Sequence, residues 1–225
     1  MSQSSQGDAV VLPPPVRIQA RKGFWRETIE SLAVALVIFF LVRTFAFQAF
    51  RIPTGSMEKT LLPGDFLFVN KFAYGAKLPF LDIRLPGYSE AKAGDIIVFQ
   101  FPEDPKQDYI KRCVATEGQT VEIREKRVYI DGVLKEEPYA VFADTRVYPL
   151  GRGPAGMPER DNMRPRKVPP HHLFMMGDNR DASYDSRGWG FVDLRLVRGK
   201  AWITYFSWDK SRNLPRFGRM FRWIR

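Results

Sequence analysis

Hydrophobic positions along the chain fall into two regimes. Residues 31–42, SLAVALVIFFLV, form a run without charge, and after Arg43 the apolar character resumes in TFAFQAF as far as Phe50. From Asp65 onward the pattern changes to short runs rich in β-branched and aromatic residues, namely DFLFVN (65–70), DIIVFQF (95–101), DYIKRCVAT (108–116), TVEI (120–123), RVYI (127–130) and KAWITYF (200–206). Gly and Pro separate them, and runs of this kind predict strands. The expected fold class is therefore mainly β, an antiparallel sheet domain. Asp131-Gly132, between RVYI and VLK, predicts a hairpin, because a type I′ turn needs positive φ at both central residues. Residues 136–170 are rich in Pro, Gly and Arg with little periodicity, which predicts an excursion or small second lobe inserted in the β domain.

The long apolar run predicts a membrane anchor. A spanning helix needs about 20 residues at about 1.5 Å each. Residues 28–50 supply that length while enclosing Glu30 near one end and Arg43, whose long side chain can snorkel toward headgroups. A buried core helix and a cleaved signal peptide are the rival readings. The second would require an unusually long basic leader, and no clean small-x-small site follows the run. Arg17, Arg21, Lys22 and Arg26 precede it, and fewer basic residues follow closely, so the N-terminus is expected in the cytoplasm and the bulk of the chain outside. The organisation expected is a cytoplasmic tail at 1–27 with a disordered start at 1–16, a single transmembrane helix at 28–50, an extracytoplasmic domain at 51–215 and a basic amphipathic segment at 216–225. In that last segment Phe217, Met220, Phe221 and Ile224 follow i, i+3, i+4, i+7 spacing among four arginines, which predicts an interfacial helix against membrane lipid, or a terminal helix packed on the domain; Gly218 weakens both.

Composition narrows the picture further. The 225 residues, 44% apolar and 27% charged, describe a folding chain with one principal domain. A net charge of +10 suits anionic lipid or nucleic acid, but the basic residues are scattered among segments without a nucleic-acid motif, so no nucleic-acid partner is expected. Cys113 is the only cysteine, which excludes an intrachain disulfide and a multi-cysteine metal site.

Three segments carry candidate chemistry. In DYIKRCVAT, strand alternation puts Tyr109, Lys111, Cys113 and Ala115 on one face and Ile110, Arg112 and Val114 on the other. A lysine among apolar neighbours either snorkels, pairs with a carboxylate, or loses its proton through desolvation and becomes a general base. In PTGSM, Pro53 and Gly55 make a rigid turn from which the Ser56 hydroxyl projects, while the Ser56 N–H and the Thr54 hydroxyl offer donors to one oxyanion position. His171 and His172 are the only histidines for a Ser-His-Asp triad; a Ser-Lys pair needs neither. The third segment, MGDNRDASYDSRGWG (176–190), reads as a loop braced by Asp-Arg pairs. Asp178 and Asp185 face Arg112 and Arg187 as candidate partners, and Ser183 is placed to orient a lysine nitrogen. Calcium fits this loop poorly, since Arg180 stands at a ligand position.

The segments FRIPTGSMEKTLLPGD, GDFLFVNKFAYG, YIKRCVATEGQTV and GDNRDASYDSRGWG, in this order after an apolar run, closely resemble bacterial type I signal peptidases, the Ser/Lys proteases that remove signal peptides. The resemblance implies Ser56 as nucleophile, Lys111 as general base, Thr54 as oxyanion donor beside the Ser56 N–H, and Ser183 as the lysine-orienting group. It implies that Ile52 and Ile110 line shallow pockets for small side chains at −1 and −3 of signal-peptide-bearing preproteins. It also implies a mainly β fold with an inserted second lobe, location in the bacterial cytoplasmic (inner) membrane as a single-pass protein with its catalytic domain outside, and no metal or cofactor. Thr54 departs from the serine common at its position but keeps the hydroxyl, and Lys111 sets the chain apart from the histidine-using archaeal and endoplasmic-reticulum branch. The rival functions are a self-cleaving repressor-type Ser/Lys protease, whose DNA-binding N-terminus would stand where the apolar run is, and a non-enzymatic membrane-anchored β domain.

Overall fold

The computed structural model describes residues 23–41, 47–75 and 86–225. The chain divides into two units, one N-terminal and one running from Phe40 to Arg225. In the first, helix α1 spans Phe24–Leu41, with Glu27 in its first turn and Arg26 bonded to Glu30 one turn on. Trp25, Ile29, Leu32, Val34 and Val37 are all exposed, so the described part of the helix presents apolar side chains outward. Among the described residues no helix is long and apolar enough to cross a membrane. The tail at 1–16 lies outside the described residues.

The second unit is built on antiparallel sheet. Its strands are β1 (Phe47–Arg51), β2 (Asp65–Asn70), β3 (Ile96–Phe101), β4 (Asp104–Thr116), β5 (Thr120–Arg124), β6 (Arg127–Ile130), β7 (Val133–Leu134), β8 (Met163–Lys167), β9 (His172–Met176), β10 (Val192–Asp193), β11 (Val197–Asp209), β12 (Leu214–Pro215) and β13 (Arg222–Trp223), with a one-turn helix α2 at Ser186–Trp189. A nine-stranded sheet runs β1-β2-β11-β3-β4-β9-β10, with β12 and β13 added on β11, and a four-stranded sheet runs β7-β6-β5-β8.

Two boundaries differ from the sequence expectation. Residues 47–50, expected as the end of a helix over 28–50, pair with β2 from Phe47↔Asn70 to Phe50↔Leu67. Alternating FQAF suits a strand edge as well as a helix, and β2 supplies the partner that decides it. The four-stranded sheet draws on β5, β6 and β7, which precede residue 136, as well as on β8 from the 136–170 segment. Asp131 and Gly132 have φ of 51° and 80°, the left-handed pair that joins β6 to β7.

Burial on both faces explains the apolar run of β3. Ile96 and Val98 pack with Ile52, Met57, Leu61, Leu67 and Val69, while Ile97 and Phe99 pack on the opposite side with Cys113, Leu173 and Met175. Burial holds the Cys113 thiol up at about 12, so this cysteine is an inert core side chain. A register shift between Cys113 and Ala115 breaks the alternation of β4 and sends Val114 and Ala115 together into the core shared with the second sheet.

The C-terminal segment is not an α-helix. Phe217–Arg219 form a single 3-10 turn, and β13 then pairs with Ile203 and Thr204 of β11. Buried Asp65 accounts for this, because it takes Arg219 Nη2 at 2.6 Å and Ser207 Oγ at 2.6 Å, contacts that a continuing helix would pull away. Ile224 packs on the Ile52–Met57 cluster.

Candidate active site

The turn after β1 holds Ser56. Ile52 N–H donates to Asp65 O and Gly64 N–H to Ile52 O, closing the loop at its base. Within it, Thr60 N–H and Leu61 N–H both reach Met57 O, at 3.1 and 2.7 Å, and Met57 is fully buried. An anchored methionine immediately after Ser56 leaves the half-buried serine facing the sheet.

Lys111 comes from β4, opposite Ile97 of β3, and donates from Nζ to Ser56 Oγ at 2.7 Å. Its side chain is 4% exposed. Burial lowers its pKa to about 8, partly opposed by the charge of Asp185, with Arg187 lowering it further and Asp178 raising it. Desolvation penalises the ammonium, so a large fraction of this amine is neutral only slightly above neutral pH. The ring of Tyr109 lies 5.4 Å from Nζ.

Loop 177–187 backs this contact with two buried pairs. Arg112 meets Asp178 in a bidentate pair with both bonds at 2.8 Å, and its guanidinium is stacked 3.8 Å from the Tyr139 ring. Arg187 meets Asp185 with both bonds at 2.8 Å and also donates to the carbonyls of Arg160 and Arg180. Asp185 accepts the Gly177 N–H as well; burial alone would raise its pKa, but Arg187 and these bonds hold it below the usual carboxylate value.

The remaining sequence candidates are placed unevenly. Ile52 is buried and Ile110 half-buried in one cluster beside the Ser56 turn. Thr54 is exposed, and its hydroxyl has no hydrogen bond among the described residues. Ser183 is buried, yet its hydroxyl has no hydrogen-bond partner among the described residues, so the bond expected from it to Lys111 is not made. It does lie close by, since a Cβ built on Gly177 would fall 2.2 Å from Ser183 Oγ and 2.5 Å from Ser56 O. Neither histidine bonds Ser56: His171 donates its N–H to Glu117, and the His172 ring contacts Pro170 O.

Two contributors were not assigned from the sequence. Asn179 donates its N–H to Ser56 O at 3.1 Å and its side-chain amide to Gly55 O and Glu58, both at 3.3 Å. Glu137, far along the chain, pairs with buried Arg180 at 2.5 Å and so steadies the same loop. Asn in a Gly-Asp-Asn turn was the visible signal for the first. The second had none, because the EEPY segment looks like any polar loop.

The fold is that of a mainly β domain, and comparison with known proteins gives its family. The family model described as signal peptidase, peptidase S26, matches residues 25–208, and the chain belongs to that family. It is 39% identical to signal peptidase I of Pseudomonas aeruginosa over 85% of this chain and 76% of that one. It is 36% identical to signal peptidase I of Pseudomonas fluorescens over 96% and 84%. A crystal structure of a signal peptidase I from Enterococcus faecalis aligns with 50% of this chain and 97% of its own, at 30% identity and a TM-score of 0.39.

Proposed function

We propose that this chain is a membrane-anchored serine endopeptidase that removes N-terminal signal peptides from exported preproteins, cleaving after small residues at −1 and −3. The observation that carries the reading is the 2.7 Å contact between Lys111 Nζ and Ser56 Oγ. An amine whose pKa is lowered to about 8 can accept the serine proton near physiological pH, which an ordinary lysine cannot.

Neutral Lys111 takes the hydroxyl proton as Ser56 Oγ bonds to the scissile carbonyl carbon and the carbonyl electrons move onto oxygen. The Ser56 N–H and the Thr54 hydroxyl donate to that oxyanion. Cleavage of the C–N bond passes the proton from Lys111 to the departing amine of the mature protein and leaves the signal peptide as an ester on Ser56. Lys111 then takes a proton from water as the water oxygen attacks the ester, and returns it to Ser56 Oγ as that oxygen leaves. Ile52 and Ile110 offer apolar walls beside the turn, suited to small side chains. Arg112–Asp178 and Arg187–Asp185 keep the framework rigid.

Anchoring is supported by the exposed apolar side chains of α1 and by the basic residues that precede it. In this reading the protein sits in the bacterial cytoplasmic membrane with its N-terminus inside and the β domain outside, where membrane lipid is its neighbour.

The test uses the full chain in detergent with a secretory precursor carrying Ala at −1 and −3, followed by sequencing of the new N-terminus. Ser56→Ala and Lys111→Met are each expected to abolish cleavage; a wild-type rate in either would remove the mechanism.

A further inference from the structure

We propose that Thr60 is a positioning residue for the Ser56–Lys111 pair, tying the Ser56 turn to the Arg112–Asp178 pair through its hydroxyl. This inference rests on the dyad reading given above.

Thr60 stands four residues after Ser56 on the same tight turn, and Arg112 directly follows Lys111 on β4. The Thr60 hydroxyl donates to Asp178 Oδ2 at 2.5 Å, and that same oxygen accepts Arg112 Nη2 at 2.8 Å. The turn and the strand are thus joined twice, once at Ser56–Lys111 and once at Thr60–Asp178–Arg112. A single hydrogen bond lets two segments pivot about it, whereas two bonds a turn apart fix their relative orientation. Asp178 is fully buried and its partner Arg112 is held on further sides by Gly94 O at 2.8 Å and the Tyr139 ring, so the second link is a rigid fixture. The Thr60 carbonyl is anchored in turn by Arg219 Nη2 at 2.9 Å. Proton transfer from Ser56 is steeply sensitive to this geometry, since a misplacement of about 1 Å can cost on the order of 100-fold in rate.

The experiment compares the wild type, Thr60→Val, Thr60→Ser and Ser56→Ala for precursor cleavage, with thermal unfolding of each. Valine keeps the shape and removes the hydroxyl; serine keeps the hydroxyl. Thr60→Val is expected to lower kcat by about 10-fold or more with KM within about twofold, while Thr60→Ser stays within about threefold of wild type. If Thr60→Val does not fold, Thr60→Ala takes its place in the same comparison. A folded hydroxyl-free variant at wild-type kcat would overturn the inference, as would an equal loss in Thr60→Ser, which would point to shape instead of the hydroxyl. Activity in Ser56→Ala would remove the dyad itself. Inactive Ser56→Ala with unchanged Thr60→Val would leave the dyad standing and remove only the role of Thr60.

Discussion

The backbone N–H of Asn179 donates to the carbonyl oxygen of Ser56, so the loop bearing both buried Asp-Arg pairs is joined to the serine turn through main chain. Apart from proline, which lacks the N–H, no substitution at Asn179 deletes that bond directly; otherwise one of the two backbones has to move.

Gly177 is where such a movement is easiest to force. A methyl group there would fall 2.2 Å from Ser183 Oγ and 2.5 Å from Ser56 O, distances that require one of them to shift. Gly177→Ala is expected to lower kcat/KM by about 100-fold, read in the precursor assay.

The pH profile follows from Lys111. With its pKa lowered to about 8, kcat/KM should rise with pH through that value and then level, as the neutral amine becomes the dominant form. A profile flat from pH 6 to 10 would contradict the general-base role.

Stability should show the same group with a defined sign. The unfolded lysine, near 10.5, binds more protons than the folded one between about 8 and 10.5, so this residue costs stability below about 8 and the cost fades as pH rises toward 10.5. The full cost is roughly 3 kcal/mol from the pKa difference. Lys111→Met should therefore unfold no more easily than wild type at pH 7, with its advantage shrinking by pH 10; urea titrations at the two pH values check this.

Breaking the pair beneath the site should act in the opposite direction. Asp178→Ala leaves Arg112, itself 3% exposed, without its carboxylate and is expected to cost about 3–5 kcal/mol in chemical denaturation.

Asp65 ties the C-terminal segment into the same framework. Burial would raise its pKa, but Arg219, the Leu62 N–H and Ser207 together lower it. Its contribution to stability is thus present above the ordinary carboxylate pKa and is lost as pH falls through the lower folded value. Arg219→Met should cost about 3–5 kcal/mol at pH 7, and the difference from wild type should narrow in acid; thermal melts at pH 7 and pH 3 measure both.

Local pattern carried much of this fold. DFLFVN was legible to the residue as β2, because turn formers bound a short β-rich run. The end of the apolar run was not, since nothing in FQAF reveals that β2 lies alongside. Likewise Phe217, Met220, Phe221 and Ile224 have helical spacing, but spacing cannot register that Arg219 is drawn to a carboxylate more than 150 positions earlier in the chain. At the site, residue types and order pointed to a serine and a lysine that the fold brings to 2.7 Å and to the acidic and basic residues that pair. The links through Thr60 and Asn179 were hidden because they use a hydroxyl and a main-chain N–H, groups whose partners only tertiary structure assigns.

The position of β11 in the large sheet has a consequence for biogenesis. It separates β2 from β3, which are successive among the described strands and not paired with each other there, and it is synthesised after both and after β9 and β10. Until β11 emerges, the β1–β2 pair that leads into the Ser56 turn and the β3–β4–β9 strands that carry Lys111 have no strand to join them. Long-range closure of this kind is slow, on the millisecond-to-second scale of non-local β topologies. A chain still lacking β11 is therefore expected to hold its serine and its lysine on two separate pieces of sheet, which the last long strand brings into register.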